Sequence, residues 1–367
     1  MLAHLNPLVL PEGGDLVRDP IRAAHLDVPG FAAAYDRHTL AYDAVYRPQD
    51  RAIVLVCPRL LNLAAPLRAA TIRVDGSVQR ISRIRRFRRF DEVWIPCPAP
   101  PSEIAVDLGG QTLAAAVSPP DKALARRDVV MVKSKDNALE WIADWAGHYG
   151  MAQGATGFLF FDNGSGTYGP ADVQAVLEQA APEAAVVVVP APFPFGPTLP
   201  NRPKHQSKFF QAGILNVARH RFLGAAAAVL SVDIDEMIVS EVGNIFGEVR
   251  AARSGYGTIP GFWSYAQPDG DALPRHADHV WRSAKDRGCQ EKWAVRPSSF
   301  LGRGGWDVHG VRGYHMNNWV QSTKSMMLHC QRITTGWKRK RQGVGDNLVP
   351  CPIATRHLAD RRTEISR

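Results

Sequence analysis

The sequence predicts an α/β protein whose sheet is mostly parallel and covered by helices on both faces, preceded by a smaller β-rich domain. Three observations carry that prediction. From Asp128 onward, buried-strand runs alternate with amphipathic helical runs, the order that βα units require. Before Asp128, short β-like runs are separated by Pro, Gly and Asp turns. At 367 residues the chain has room for one large domain and a smaller one.

The stretches "AIVLVCP", "ATIRVDG" and "EIAVDLGGQTLAAAV" mark residues 1–125 as the β-rich domain. Within it, "RIRRFRRFDEVW" sets Phe87 and Phe90 among Arg83, Arg85, Arg86, Arg88 and Arg89. Aromatic-interleaved arginines suit phosphate contacts, whereas the alternating apolar Ile84 suits a strand with a solvated basic face. "SPPDKALARRD" then breaks the pattern as a linker.

The second domain spans residues 126–345 and starts with "VVMVKS", a buried strand. A helix follows, with Leu139, Ile142, Trp145 or Ala146, and Tyr149 on one stripe, and Gly150 is the expected stop. Next come a second strand ending in "DNGSG", a helix opened by Pro170, a third strand "AAVVVVP", a long helix over "PKHQSKFFQAGILNVARHRF", and a fourth strand, "AAVLSVDID". Residues 346–367 are left as a tail.

Composition is that of an ordinary folded protein, with 45% hydrophobic and 22% charged residues. A formal charge of +9 favours anionic partners and admits peripheral contact with a membrane surface. The five cysteines are scattered without CxxC spacing, which argues against a disulfide framework or structural zinc. Neither a leader peptide nor a run of about 18 uncharged apolar residues is evident, so a cytoplasmic location is expected.

The fourth strand runs straight into Asp233, Ile234, Asp235 and Glu236. Carboxylates leaving a buried strand must be paired, metal-bound or protonated. With a spacing of two, Asp233 and Asp235 share one side of an extended backbone. They also lie beyond the carboxyl end of a parallel strand, where open α/β sheets bind ligands. Two hard oxygen donors there suit Mg²⁺ or Mn²⁺ shared with substrate phosphates.

The ordered set "VKSKDNALEWIADWAGHYG", "FFDNGS", "QAGILNVARHR", "VDIDEMIV", "TIPGFWSYAQ", "EKWAVRPSSFLGRGGWDVHG" and "LHCQRITTGWKRK" resembles nucleotide-sugar glycosyltransferases of the GT-A fold, in the family-2-like and family-92-like group. The resemblance covers about residues 128–340. Two positions depart from the family pattern: the early acidic residue falls at Asp136, and Met237 stands where the family has phenylalanine. What the resemblance implies is a metal-dependent transferase, inverting in outcome, that moves a sugar from a nucleotide diphosphate sugar, with a UDP-sugar favoured, to a glycan or other hydroxyl acceptor. Asp235 would hold the metal, Asp233 would reach the ribose or the metal shell, and His309 would complete the coordination. An imidazole among oxygens favours Mn²⁺. Lys133, Asp136 and Asp162 would line the donor nucleoside site, and Glu236 would shape the turn. The base is sought among Asp269, Asp271, Asp286 and Glu291, with Glu291 preferred. Lys338, Arg339, Lys340 and Arg341 could close over the diphosphate.

Two other readings stand beside this one. A nucleotidyltransferase or metal phosphoesterase would share the acidic pair, although no Gly-rich phosphate loop follows the first strand. A polyanion-binding module would rest on the arginine run alone.

Overall fold

A computed structural model describes residues 1–197, 207–267, 273–285, 288–311, 320–333 and 347–359. Its first part holds eight labelled strands: β1 (Asp43–Arg47), β2 (Ala52–Pro58), β3 (Thr71–Val74), β4 (Ser77–Gln79), β5 (Arg83–Arg86), β6 (Phe90–Pro96), β7 (Glu103–Leu108) and β8 (Gln111–Ala116). They form two four-stranded sheets in the orders β1-β2-β6-β5 and β8-β7-β3-β4. Period-two burial explains the arrangement. Ile53, Leu55, Val93 and Ile95 face Ile72, Ile104 and Val106 in a core between the sheets, while Val54, Val56 and Trp94 turn outward into a different core.

The large sheet is built from β9 (Asp128–Ser134), α1 (Leu139–Gln153), β10 (Gly157–Asp162), α2 (Pro170–Ala180), β11 (Ala185–Pro190), α3 (Phe209–Val217), β12 (Ala228–Ser231), β13 (Glu236–Ser240), α4 (Ile245–Ala251), β14 (Tyr256–Tyr265), β15 (Trp281–Ser283), β16 (Cys289–Val295), β17 (Ser325–Cys330) and β18 (Leu348–Pro350). Its order is β11-β10-β9-β12-β16-β14-β15-β18, with β17 beside β14 and β13 beside β17. Only β11, β10, β9 and β12 run mutually parallel. Beyond β12 the pairing is antiparallel except for β14 with β17. The sheet is therefore mixed rather than mostly parallel, since the run of parallel βα units ends with β12 and antiparallel pairing dominates beyond it.

On one face Val130, Val132, Phe158 and Phe160 pack against Trp145 and Tyr149 of α1 and Leu177 of α2. On the other, Val129, Met131, Leu159 and Phe161 meet Phe210 and Ile214 of α3, and the same cluster continues into Val54, Val56 and Trp94. Helix α3 thus lies between two sheets, which is why every one of its residues is buried. Gly213 is required there, since a Cβ would come within 2.2 Å of the Tyr42 ring. The first residues also join the large sheet: the Ala3 N–H donates to the Val188 carbonyl at 3.0 Å.

Two sequence expectations shift by a few residues. Helix α1 passes through Gly150 to Gln153 and is capped by Gly154 at φ 64°, whose N–H donates to the Tyr149 carbonyl. The fourth strand stops at Ser231, before the carboxylates. No described helix is long and apolar enough to cross a membrane.

Candidate metal centre and donor site

The chain does not stay extended after β12. The Glu236 N–H donates to the Asp233 carbonyl at 3.2 Å, closing a turn over Asp233–Glu236, and the Asp233 N–H donates back to Glu236 Oε2 at 2.7 Å. This turn separates what an extended backbone would have kept together. Asp233 Oδ2 lies 3.1 Å from Lys292 Nζ, whereas Asp235 Oδ2 lies 3.1 Å from His329 Nε2.

Lys292 projects from β16 and also reaches Glu236 Oε2, at 2.7 Å. Burial alone would lower its ammonium pKa, but the Asp233 and Glu236 carboxylates override that and raise it. Two of the three carboxylates are thus answered by a buried cation. Glu236 shapes the turn, as expected, and also extends past it: Asp235, Glu236 and His329 bring one ligand atom each to within 4.8 Å of one another. Two carboxylates and an imidazole form a donor set suited to Mn²⁺ or a similar divalent ion. Trp263 stacks on the His329 ring at 4.0 Å and 28°, limiting its rotation.

His309, the expected imidazole ligand, lies outside that group. It sits in the hairpin Trp306–Val311, with its Nδ1 3.2 Å from the Glu291 carbonyl. Burial and then the Lys292 ammonium push its pKa down to about 3, with Asp233 acting the other way. His309 is therefore a neutral imidazole on the Lys292–Asp233 side of the turn. The hairpin is held from several directions. Asn216 of α3 bonds both the carbonyl and the N–H of Trp306, at 2.8 and 3.0 Å. The Trp293 indole donates to the Asp307 carbonyl at 2.9 Å. Arg89, from the basic run, pairs with the Asp307 carboxylate.

Helix α1 fixes the turn from beneath. The Tyr149 hydroxyl donates to the Glu236 carbonyl at 2.8 Å and accepts from the Ile238 N–H at 3.1 Å. His276 Nε2 lies 2.8 Å from the Ile234 carbonyl, and its Nδ1 is 3.4 Å from Asp144 of α1. Arg275 also pairs with Asp144. Burial would raise the Asp144 pKa, but His276 and Arg275 hold it down at about 2. A carboxyl depressed on folding stabilises the protein above its unfolded value, near 3.9, and that contribution is lost as pH falls toward the folded value. Asp144→Asn is accordingly expected to flatten the loss of stability between about pH 4 and 2, read from urea midpoints across that range. An acid limb identical to wild type would remove Asp144 from the support of the turn.

The other expected site residues occupy the carboxyl ends of the first two strands. Asp162 accepts from the Ser165 N–H at 3.1 Å and from its hydroxyl, closing its own turn. Asp136, at φ 53°, accepts from the Gly166 N–H at 2.6 Å, and its own N–H donates to Ser165 Oγ at 2.8 Å, which ties the loop after β9 to the loop after β10. Lys133 is buried on β9. Glu291 neighbours Lys292 in sequence but belongs to the opposite side of the strand. Trp293 and Val295 face the α3 core and Ala294 the α1 core, so alternation sends Glu291 with Trp293 and Lys292 with Ala294. The Glu291 carboxylate accepts from Gln321 Nε2 at 2.8 Å. Asp269, Asp271, Asp286 and the Lys338–Arg341 run lie outside the described residues.

Lys292, His329, His276 and Tyr149 were not singled out from sequence as site residues. Two signals were available: Lys292 opens the apolar run "KWAV" where a strand should be buried, and His329 is the histidine of the late motif "LHCQRITTGWKRK".

No protein-family model matches the chain, and no curated protein sequence matches it. Among solved structures it is similar to the galactosyltransferase LgtC in complex with donor and acceptor sugar analogs, at 13% identity over 46% of this chain and 57% of that one, with a TM-score of 0.25. An active-site mutant of LgtC aligns at 13% identity over 49% and 60%, with a TM-score of 0.27. TarS from S. aureus aligns at 12% over 41% and 23%, with a TM-score of 0.24. The chain spans less than two thirds of each of these structures, and overlaps of this size and identity assign no activity to it.

Proposed function

We propose that this chain is a metal-dependent glycosyltransferase that moves a sugar from a nucleotide diphosphate sugar, a UDP-sugar by preference, to a glycan or other hydroxyl acceptor with inversion. The observation that carries the reading is the Asp235–Glu236–His329 group, set just past the carboxyl end of the last mutually parallel strand, β12. The ordered motifs from residue 128 to 340 support it independently.

In this reading Asp235, Glu236 and His329 would hold the ion, with His309 facing the same turn from the Lys292 side. A bound divalent cation supplies charge neutralisation for the leaving diphosphate. Lys292 pairs with both Asp233 and Glu236 and fixes them, so the turn presents ordered oxygens rather than a mobile acidic loop. Lys133 and Asp162, in the last residues of β9 and β10, and Asp136, just past β9, would line the nucleoside site. Of the base candidates only Glu291 is among the described residues; it leaves β16 on the face opposite Lys292, so it would take the proton of an acceptor hydroxyl that approaches from that side. The linker near residue 125 would separate a β-rich accessory domain from the transferase domain.

The reading is tested by thermal unfolding with UDP, GDP and pyrophosphate, each with and without Mn²⁺, since a ligand that binds only the folded state raises its midpoint. A rise of several degrees with UDP that needs Mn²⁺ is expected. A response to pyrophosphate alone would turn the reading toward nucleotidyl transfer. No response to any nucleotide would overturn it.

A further inference from the structure

The arginine run is explained only in part by the contacts that hold the His309 hairpin. Arg89 is buried against Asp307, and Phe87 and Phe90 stack on each other at 4.2 Å and 7° beside Gly305. Those residues face inward. Strand β5, by contrast, is the outer edge of its sheet, and Arg80, Arg83, Arg86 and Arg88 along and beside it are exposed. The carboxylates nearest in sequence are already engaged: Asp91 pairs with Arg59, while Glu92 is buried against Arg219 and His220 and is approached by Arg85. Among the described residues, none of Arg80, Arg83, Arg86 and Arg88 has a carboxylate within ion-pair distance.

Arg83 adds a second feature. Its guanidinium lies over the Trp94 ring, 4.2 Å from the centroid, directly across the strand pair in register with it. Stacking holds the planar group in place while its N–H fork stays available, the arrangement that suits bidentate contact with a carboxylate or phosphate. Arg83, opposite Trp94, and Arg86, opposite Asp91, leave the edge strand toward opposite faces, so an extended chain with repeated anionic groups meets both by running along the edge itself.

We infer that the β5 edge is a binding strip for an extended acidic glycan, a polymer whose sugars carry carboxylate groups. Its end at Arg86, three residues before Arg89, which anchors the His309 hairpin through Asp307, makes such a glycan the acceptor class, and that last step rests on the transferase reading. A membrane surface fits less well, because Phe87 and Phe90 stack on each other and the apolar residue of β5, Ile84, packs against the core between the two sheets.

The strip is tested by binding without metal or nucleotide, so that failure of the donor reading would leave the result standing. The probe is a fluorescently labelled polygalacturonate oligosaccharide of about ten residues, with neutral dextran of equal length and phosphatidylglycerol vesicles alongside. Wild type is expected to bind the acidic oligosaccharide and not dextran, with affinity falling as salt rises, as expected where cationic side chains contact a polyanion. Replacing Arg83, Arg86 and Arg88 by Gln should weaken binding at least about tenfold and reduce the salt dependence. The pair Arg86→Gln and Arg88→Gln, which leaves the Trp94 stack intact, should retain part of that loss. Replacing the exposed Arg22, Arg68 and Arg253 removes the same charge elsewhere and should leave binding unchanged. Equal losses in both triple variants would show bulk attraction and overturn the strip. So would preferential binding to vesicles, or no binding to the acidic oligosaccharide.

Discussion

Asp235→Ala is expected to weaken Mn²⁺-dependent binding of UDP by more than about a hundredfold, beyond the 10–100-fold typical of groups that only support a metal ligand. UDP binding measured in EDTA should not change. The side chain faces His329, while the Asp235 carbonyl accepts the Cys330 N–H at 2.7 Å. The substitution therefore removes the ligand and keeps the main-chain bond that joins the turn to β17. It also relieves anionic crowding beside Asp233 and Glu236, so the unfolding midpoint without metal should hold or rise. Calorimetric titration with and without Mn²⁺ reads both quantities. The two histidines extend the test. With the ion seated by Asp235, Glu236 and His329, His329→Ala should follow Asp235→Ala closely and His309→Ala should cost far less. The reverse order would return the centre to Asp233, Asp235 and His309. Metal-dependent binding that survives Asp235→Ala would dismiss the centre altogether.

Lys292→Met should be among the most destabilising single changes in the chain, costing about 3–5 kcal/mol, because it strands two carboxylates at a buried turn. A paired variant separates charge from shape. Lys292→Met combined with Glu236→Gln leaves one fewer uncompensated charge and should recover part of the loss, as coupled neighbours do. The pH dependence has a definite sign. The Lys292 pKa is raised on folding by Asp233 and Glu236, so its contribution is complete below its unfolded value, near 10.4, and fades as pH climbs beyond it. Urea unfolding of wild type and variant should therefore differ by a constant amount across neutral pH and converge on the alkaline side. A loss under about 1 kcal/mol at pH 7, the range of an exposed pair, would mean that solvent reaches the turn and answers the carboxylates instead.

Periodicity and punctuation carried the fold a long way. Alternating strand and helix runs from Asp128 located β9 to β12 with their helices, and the hydrophobic stripe of α1 was readable because one helical face had to meet one sheet face. The β-rich first part was legible in the same way. Helix ends were less so: Gly150 and Gly154 are both plausible caps, and only packing against the sheet decides how far the helix runs. The position of the acidic turn was also written in the chain, since three carboxylates after a buried strand demand some answer.

Which groups supply that answer was not. Asp233 meets a lysine 59 residues away and Asp235 a histidine 94 residues away, and such pairings depend on the order in which β16 and β17 enter the sheet, which local patterns do not encode. The spacing argument for Asp233 and Asp235 assumed an extended backbone, and the turn at Asp233–Glu236 replaced it. Local chemistry, read along the chain, determined that a cation belongs beside these carboxylates. Tertiary structure alone decided that Lys292 stands beside Asp233 while His329 faces Asp235, because long-range strand pairing sets which side chains become neighbours.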